Sequence, residues 1–405
     1  MKKVKSLKII LLTFILLITG MFASLTVYAE ENTCGENLTW EFDESTGTLT
    51  VKGTGLMESY THYSKRPWSS TSLITKVVLE EGITSVGMKA FGQFSNLETI
   101  ELPSTLETIN PFAFYECEKL SNITIPNSVT FIGQEAFFGT PIYADESNYD
   151  NGVLYYNEFL LDYDAEKKTE FTSTYSVKEG TKIIASESFV GSGFNEIIIP
   201  DSVIDIGYST FENCASLRKV KLSKNMTEIR SYVFDHCSSL NDITIPVGIT
   251  SIGSQAFDHC ESLTSISLPN TVTHIGSDAF SYCFNLTSIY LPESIESVGR
   301  DAFPSTSVYY SGSQADWSNI EFKDPDLVNN LTITYDYKTQ TVTDTYDENS
   351  DEYADSSDSS SESSKNKEKS SNSGILIAVV VVILVILIGG IAVFLFIKKK
   401  NRKSY

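Results

Sequence analysis

Basic residues are scarce in this chain: 30 lysines and arginines stand against 52 acids, a formal net charge of −22. The four lysines of residues 1–29 and the five basic residues of 375–405 meet no acids within those ends, so the stretch between carries −31, nine charges more negative than the whole. Nucleic acid is a poor partner for such a surface, because neutralising phosphates requires clustered Lys and Arg. Catalytic motifs are missing too. There is no G-x-S-x-G elbow, no H-E-x-x-H and no P-loop, and motif spacing assembles no nucleophile, base and orienting group. The expectation is a protein that is not an enzyme and needs no cofactor or metal. Acidic pairs such as Glu80-Glu81 read as a solvated face. Residues 145–151 faintly resemble a calcium loop, but Tyr149 falls where an oxygen ligand is needed.

What the chain does have is apolar content, 41% hydrophobic with 12% aromatic, too rich for disorder and enough for a sizeable core. The ends differ from the body. Residues 1–29 combine a basic start, an apolar run over 9–18 broken only by Thr13, and small residues at Val27 and Ala29, which reads as a secretory signal. Residues 375–397 hold no charge and are long enough to span a hydrocarbon core of about 30 Å as one transmembrane helix. The basic tail that follows, residues 398–405, belongs on the cytoplasmic side, which leaves the body extracellular at the cell membrane. Residues 341–374, with eleven serines, nine acids and three lysines, read as a disordered stalk.

Self-similarity dominates the body. Phe91, Phe114 and Phe137 are 23 residues apart, as are Phe211, Phe234, Phe257, Phe280 and Phe303, with Phe189 standing 22 before Phe211. Columns at the same offset include Leu97, Leu120, Leu217, Leu240, Leu263 and Leu286, then Ile100, Ile123, Val220, Ile243, Ile266 and Ile289. A period of 20–29 with an L-x-x-I-x-L core is a leucine-rich-repeat signature. In Leu97-Glu98-Thr99-Ile100-Glu101-Leu102 the alternation predicts a short strand with its aliphatics inward. Pro103, Pro126, Pro246, Pro269 and Pro292 end these strands, and the glycines at 133, 207, 253, 276 and 299 are expected to allow a second sharp turn. One such unit has no core of its own, so neighbours must stack.

With rungs such as Ile252-Gly253-Ser254-Gln255-Ala256-Phe257-Asp258-His259-Cys260, the chain resembles the BspA-like class of bacterial leucine-rich-repeat surface proteins. Cys34-Gly35-Glu36-Asn37-Leu38-Thr39-Trp40 near the start, and Val308-Tyr309-Tyr310-Ser311-Gly312 with Trp317 near the end, extend the match over roughly residues 34–336. The fold class is therefore a repeat solenoid, β-rich with short helical turns and capped at both ends. Residues 30–67 form an N-terminal β cap, 68–303 the solenoid and 304–340 the C-terminal cap. Trp68 occupies the anchor column, 23 residues before Phe91. From Phe137 to Phe189 the spacing is 52, six more than two periods, so a hairpin insertion is expected at about 141–182.

Five of the six cysteines, at 117, 214, 237, 260 and 283, lie three residues after an anchor phenylalanine. Equivalent positions point the same way into the core, which favours free buried thiols, while a bridge such as Cys237 to Cys260 stays open by separation alone. Asp235-His236-Cys237 recurs as Asp258-His259-Cys260, but Cys should point inward and His outward, which makes closure round one zinc awkward. His62 and His274 are isolated.

The outward face of the strand ladder remains. One column contains Lys76, Thr99, Asn122, Lys219 and Asp242, and its neighbour contains Glu101, Thr124, Ile198, Lys221, Thr244 and Tyr290. About ten rungs would span roughly 45 Å without a break, a footprint adequate for a protein. Tyr290, Ile198 and the Lys219/Lys221 pair stand out as anchors. The resemblance implies an adhesin whose partner is an extracellular protein or glycoprotein, on host matrix or another microbial surface. A structural spacer or coat component without a ligand is the alternative, and the oligomeric state is left open.

Overall fold

A computed structural model describes residues 32–68, 71–170 and 172–338, and in it each rung is organised by its anchor aromatic. Trp68, Phe91, Phe114 and Phe137 stack ring on ring at centroid separations of 5.3, 5.8 and 5.4 Å. The stack resumes at Tyr163, 6.0 Å from Phe189, and runs on through Phe211, Phe234, Phe257, Phe280 and Phe303. The period of the sequence thus becomes a column of buried rings. Such contacts add to the area burial that drives stacking.

Two ladders of parallel strands follow from the two aliphatic stretches of each rung. The first holds Thr48–Gly53, Lys76–Leu79 and Thr99–Glu101, then Thr174–Ser176, Glu196–Ile198, Lys219–Lys221 and Asp242–Ile243, then Ser265–Ser267, Ser288–Leu291, Ser307–Tyr310 and Thr332–Thr334. It is divided into three sheets, so the face expected to be unbroken is segmented. The second ladder uses two-residue strands such as Glu228–Ile229, Ser251–Ile252 and His274–Ile275. Prolines open the turn between them: the N–H of Ile249 donates to the Pro246 carbonyl at 3.1 Å.

The arc carrying the anchor is not helical. Its N–H groups bond to the next rung, as Tyr232, Phe234 and His236 donate to Ser254, Ala256 and Asp258 at 2.8–3.1 Å. Bonding every second N–H outward along the stack forces the residues two before and two after the anchor into the left-handed region, as at Tyr232 and His236 (φ 64° and 57°). The expected short helical turns are few, among them the 3-10 turns Tyr63–Lys65 and Ala165–Lys167, and the anchor arcs form this third ladder instead. Among the described residues the α-helices are Pro141–Ala144 and Gln314–Trp317, both outside the anchor arcs.

Gly253 also differs from the sequence reading. Its φ is not positive, and a Cβ there would stand 2.4 Å from Ser231 N and 2.6 Å from Arg230 C. Glycine is needed because one rung's backbone approaches the next, rather than for a sharp turn.

At the start, the antiparallel hairpin of Leu38–Asp43 and Thr48–Gly53 joins the first ladder edge-on. In the middle, Val153–Tyr156 and Phe159–Tyr163 form a hairpin buried on both faces. Val153, Tyr155 and Leu160 pack into a core running to Leu327, whereas Leu154, Phe159 and Leu161 pack into the core that begins at Cys34. The extra residues are a wedge between two cores. The expected signal, stalk, membrane helix and tail (1–29, 341–374, 375–397 and 398–405) lie outside the described residues, among which no helix is long and apolar enough to cross a membrane.

Candidate functional site

The ladder face presents its outward residues in three groups. In the first, Lys76, Thr99, Glu101, Asn122 and Thr124 line one groove of about 610 Å³, over a floor that includes Ile100, Leu102 and Pro126. Strand alternation puts them there: Ile100 is buried between outward Thr99 and Glu101. Lys76 Nζ lies 2.5 Å from Glu101 Oε1. At the edge Glu81 accepts from the Ser104 N–H and hydroxyl, both at 3.0 Å, and the backbone bond chiefly holds its carboxyl below the usual value. The groove offers an amide, hydroxyls and both charge signs above an apolar base, a chemistry suited to peptide or glycan polar groups.

The second group gathers Ile198, Lys219, Lys221 and Asp242 on neighbouring strands, with Thr244 just past the end of the last one. Lys219 sits between Glu196 at 3.5 Å and Asp242 at 3.6 Å. It is a link in an alternating charge ladder rather than an isolated cation. Ile198 is half-buried, while Lys221, Asp242 and Thr244 are exposed.

Tyr290 defines the third. Its ring stacks on Tyr309 at 4.9 Å and meets Tyr337 at 5.3 Å, and Tyr309 and Tyr337 are 5.1 Å apart. Sequence reasoning found only the first of these three. Tyr309 stands 19 residues after Tyr290, off the 23-residue period, so column counting passes over it; the signal was the Val308-Tyr309-Tyr310 strand, whose register places Tyr309 beside Tyr290.

The arc positions are chemically distinct. All six cysteines are free and buried. Those of the column act as donors, with Cys117, Cys214, Cys237, Cys260 and Cys283 bonding to the carbonyls of Phe91, Phe189, Phe211, Phe234 and Phe257 at 3.0–3.2 Å. Each thiol ties its rung to the one before. Burial pushes the Cys117 and Cys283 thiols up to about 12, which keeps them protonated. His236 and His259 point outward, each bonded through Nδ1 to the preceding aspartate. Asp145, in the stretch faintly like a calcium loop, is occupied as a cap on the Ser147 N–H at 2.9 Å.

A family model described as BspA type leucine rich repeat region matches this chain in six copies, over residues 58–155 and 182–309. Solved structures of similar proteins include a leucine-rich repeat protein from Bacteroides ovatus, 23% identical over 65% of this chain and 60% of that one, TM-score 0.35. The chain thus spans less than two thirds of that protein. Another is a leucine-rich repeat protein from Eubacterium ventriosum, 23% identical over 68% of this chain and 94% of that one, TM-score 0.35. A leucine rich cell surface protein from Faecalibacterium prausnitzii is 21% identical over 71% and 97%, TM-score 0.37. No curated protein matches the chain.

Proposed function

The chain belongs to the family of BspA type leucine-rich-repeat proteins, and on that premise we propose that it is a surface protein whose first strand ladder binds an external protein or glycoprotein. The observation that carries this reading is the groove at Lys76, Thr99, Glu101, Asn122 and Thr124, where five outward residues from three rungs share one concavity. Binding there calls for shape and polar complementarity, with no catalytic group and no cofactor. In this proposal residues 1–29 direct export, residues 375–397 anchor the chain in the cell membrane, and the stalk at 341–374 holds the solenoid away from the bilayer. The charge and hydropathy of those segments support that arrangement.

The test uses the full chain in detergent micelles against matrix proteins, host cells and other microbes. Saturable binding that is lost with Thr124→Trp, which fills the groove, supports the proposal. Equal binding by that variant moves the contact elsewhere, and Lys219→Glu with Lys221→Glu then tests the central group. Absence of saturable binding to every target favours a spacer without a ligand.

A further inference from the structure

The anchor arc carries a second ordered stack on its outer surface. Two positions after the anchor, the His236 and His259 rings lie 4.2 Å apart with planes 9° from parallel, and Tyr282 continues the stack at 4.4 Å. One position nearer the anchor, Asp235 and Asp258 keep side chains only 9% and 6% exposed, while the two imidazoles are 49% and 31% exposed. Each carboxylate accepts from its neighbour's Nδ1, at 2.7 and 3.0 Å. Two buried carboxylates thus stand one rung apart, each with an imidazole as its partner.

We propose that Asp235, His236 and His259 bind a divalent transition-metal cation of the zinc type. One ligand atom from each lies within 4.8 Å of the other two, whereas ligands about 2.0–2.1 Å from a tetrahedral ion stand about 3.4 Å apart. Closing that gap takes a rotation of the exposed His236 imidazole, which gives up its Nδ1 bond to Asp235 and releases that proton to solvent as both groups turn to the ion, while the His259 ring keeps its bond to Asp258. Asp258 accepts the Nδ1 proton of His259 and leaves Nε2 of that ring for the metal, a positioning role. Two imidazole nitrogens with one carboxylate select zinc, nickel or copper(II) over magnesium and calcium, which prefer oxygen alone. The pairing of His with Cys fails as a ligand set because Cys237 and Cys260 point into the core. Asp235 takes the place of a thiol, and water holds the fourth position.

Titration of the full chain with Zn²⁺ in a non-chelating buffer tests the site, with Co²⁺ as a spectroscopic stand-in. The expected result is about one Zn²⁺ per chain, with His236→Ala or His259→Ala each weakening binding tenfold or more and Asp258→Asn weakening it roughly tenfold. The Co²⁺ form should show visible d–d bands without thiolate charge transfer. Circular dichroism of the metal-free variants should match the parent, since both rings are half-exposed, and His236→Asn serves if an alanine variant does not fold. Undiminished binding by the double histidine variant, a thiolate charge-transfer band, or no saturable Zn²⁺ uptake at all overturns the assignment.

Discussion

The rungs anchored from Phe211 to Phe303 and the junction between Phe137 and Phe189 cover the open face of the preceding rung by different means. In the regular stretch like meets like: rings of successive rungs lie 5.1–6.1 Å apart with planes 4–24° from parallel. At the junction a hairpin turns one set of alternating side chains toward each of two cores. The repeated stretch therefore spreads its coupling over many equivalent contacts, and the junction concentrates it in one seam. In a stack whose units contact only neighbours, the weakest interface decides where cooperativity breaks.

Removing one ring from each region separates them most sharply. Phe257→Ala and Phe159→Ala both empty a fully buried site, and each is expected to cost about 3–5 kcal/mol. Phe257→Ala should lower one unfolding transition of the C-terminal half. Phe159→Ala should divide urea unfolding into two steps. The tryptophans distinguish them, since Trp40 and Trp68 lie on the N-terminal side and Trp317 on the other. A single step reported identically by Trp68 and Trp317 in the Phe159→Ala chain would show that the wedge is no boundary.

Glycines sharpen the same contrast at smaller cost. Gly253→Ala drives a Cβ into backbone of the neighbouring rung and should destabilise by about 2–3 kcal/mol in urea melts. Gly193, beside the junction, has open space around its Cβ position and no positive φ, so Gly193→Ala should stay within about 0.5 kcal/mol. Equal losses at the two positions would mean that close approach between rungs is not what demands glycine.

Legibility in the sequence follows the same division. Columns fixed by a constant offset, such as Phe211 to Phe303, could be read because every rung repeats one side-chain environment. Tyr163 could not: it stands 26 residues from both Phe137 and Phe189, and only the folded hairpin brings its ring onto Phe189. The left-handed arc was equally hidden, since Glu135, Ser209, Tyr232 and Gln255 share a conformation but no chemistry. On the ladder face, alternation identified which residues point outward. The charged partners they meet, such as Glu196 beside Lys219, depend on strand register between rungs.

Two thiols of the cysteine column, Cys117 before the junction and Cys283 in the regular stretch, give the stack an alkaline weakness. An unfolded thiol ionises near 9, whereas folded Cys117 and Cys283 hold their protons to about 12. Between those values the unfolded chain binds fewer protons, so stability is intact below pH 9 and falls as pH rises through the window. The expected loss is about 1 kcal/mol per thiol between pH 9 and 10. Buried tyrosines such as Tyr155 add a loss of the same sign, so the measurement is the difference in slope between the parent and Cys283→Ala. An unchanged slope would show that the thiol ladder does not carry the effect.

The smallest effect belongs to the ladder face, and its smallness is useful. Lys219 reaches Glu196 and Asp242 only at 3.5 and 3.6 Å with its side chain 45% exposed, so solvent and salt screen both pairs. Lys219→Ala should change stability by no more than about 0.5 kcal/mol, less at high salt. A buried-core substitution removes contacts on which the stack depends, whereas this one alters only the pattern of charge that a partner meets. Lost binding by Lys219→Glu with Lys221→Glu at unchanged melting temperature would therefore assign the central charge ladder to recognition. A melting temperature lowered by several degrees would instead make the lysine ladder part of what holds the rungs together.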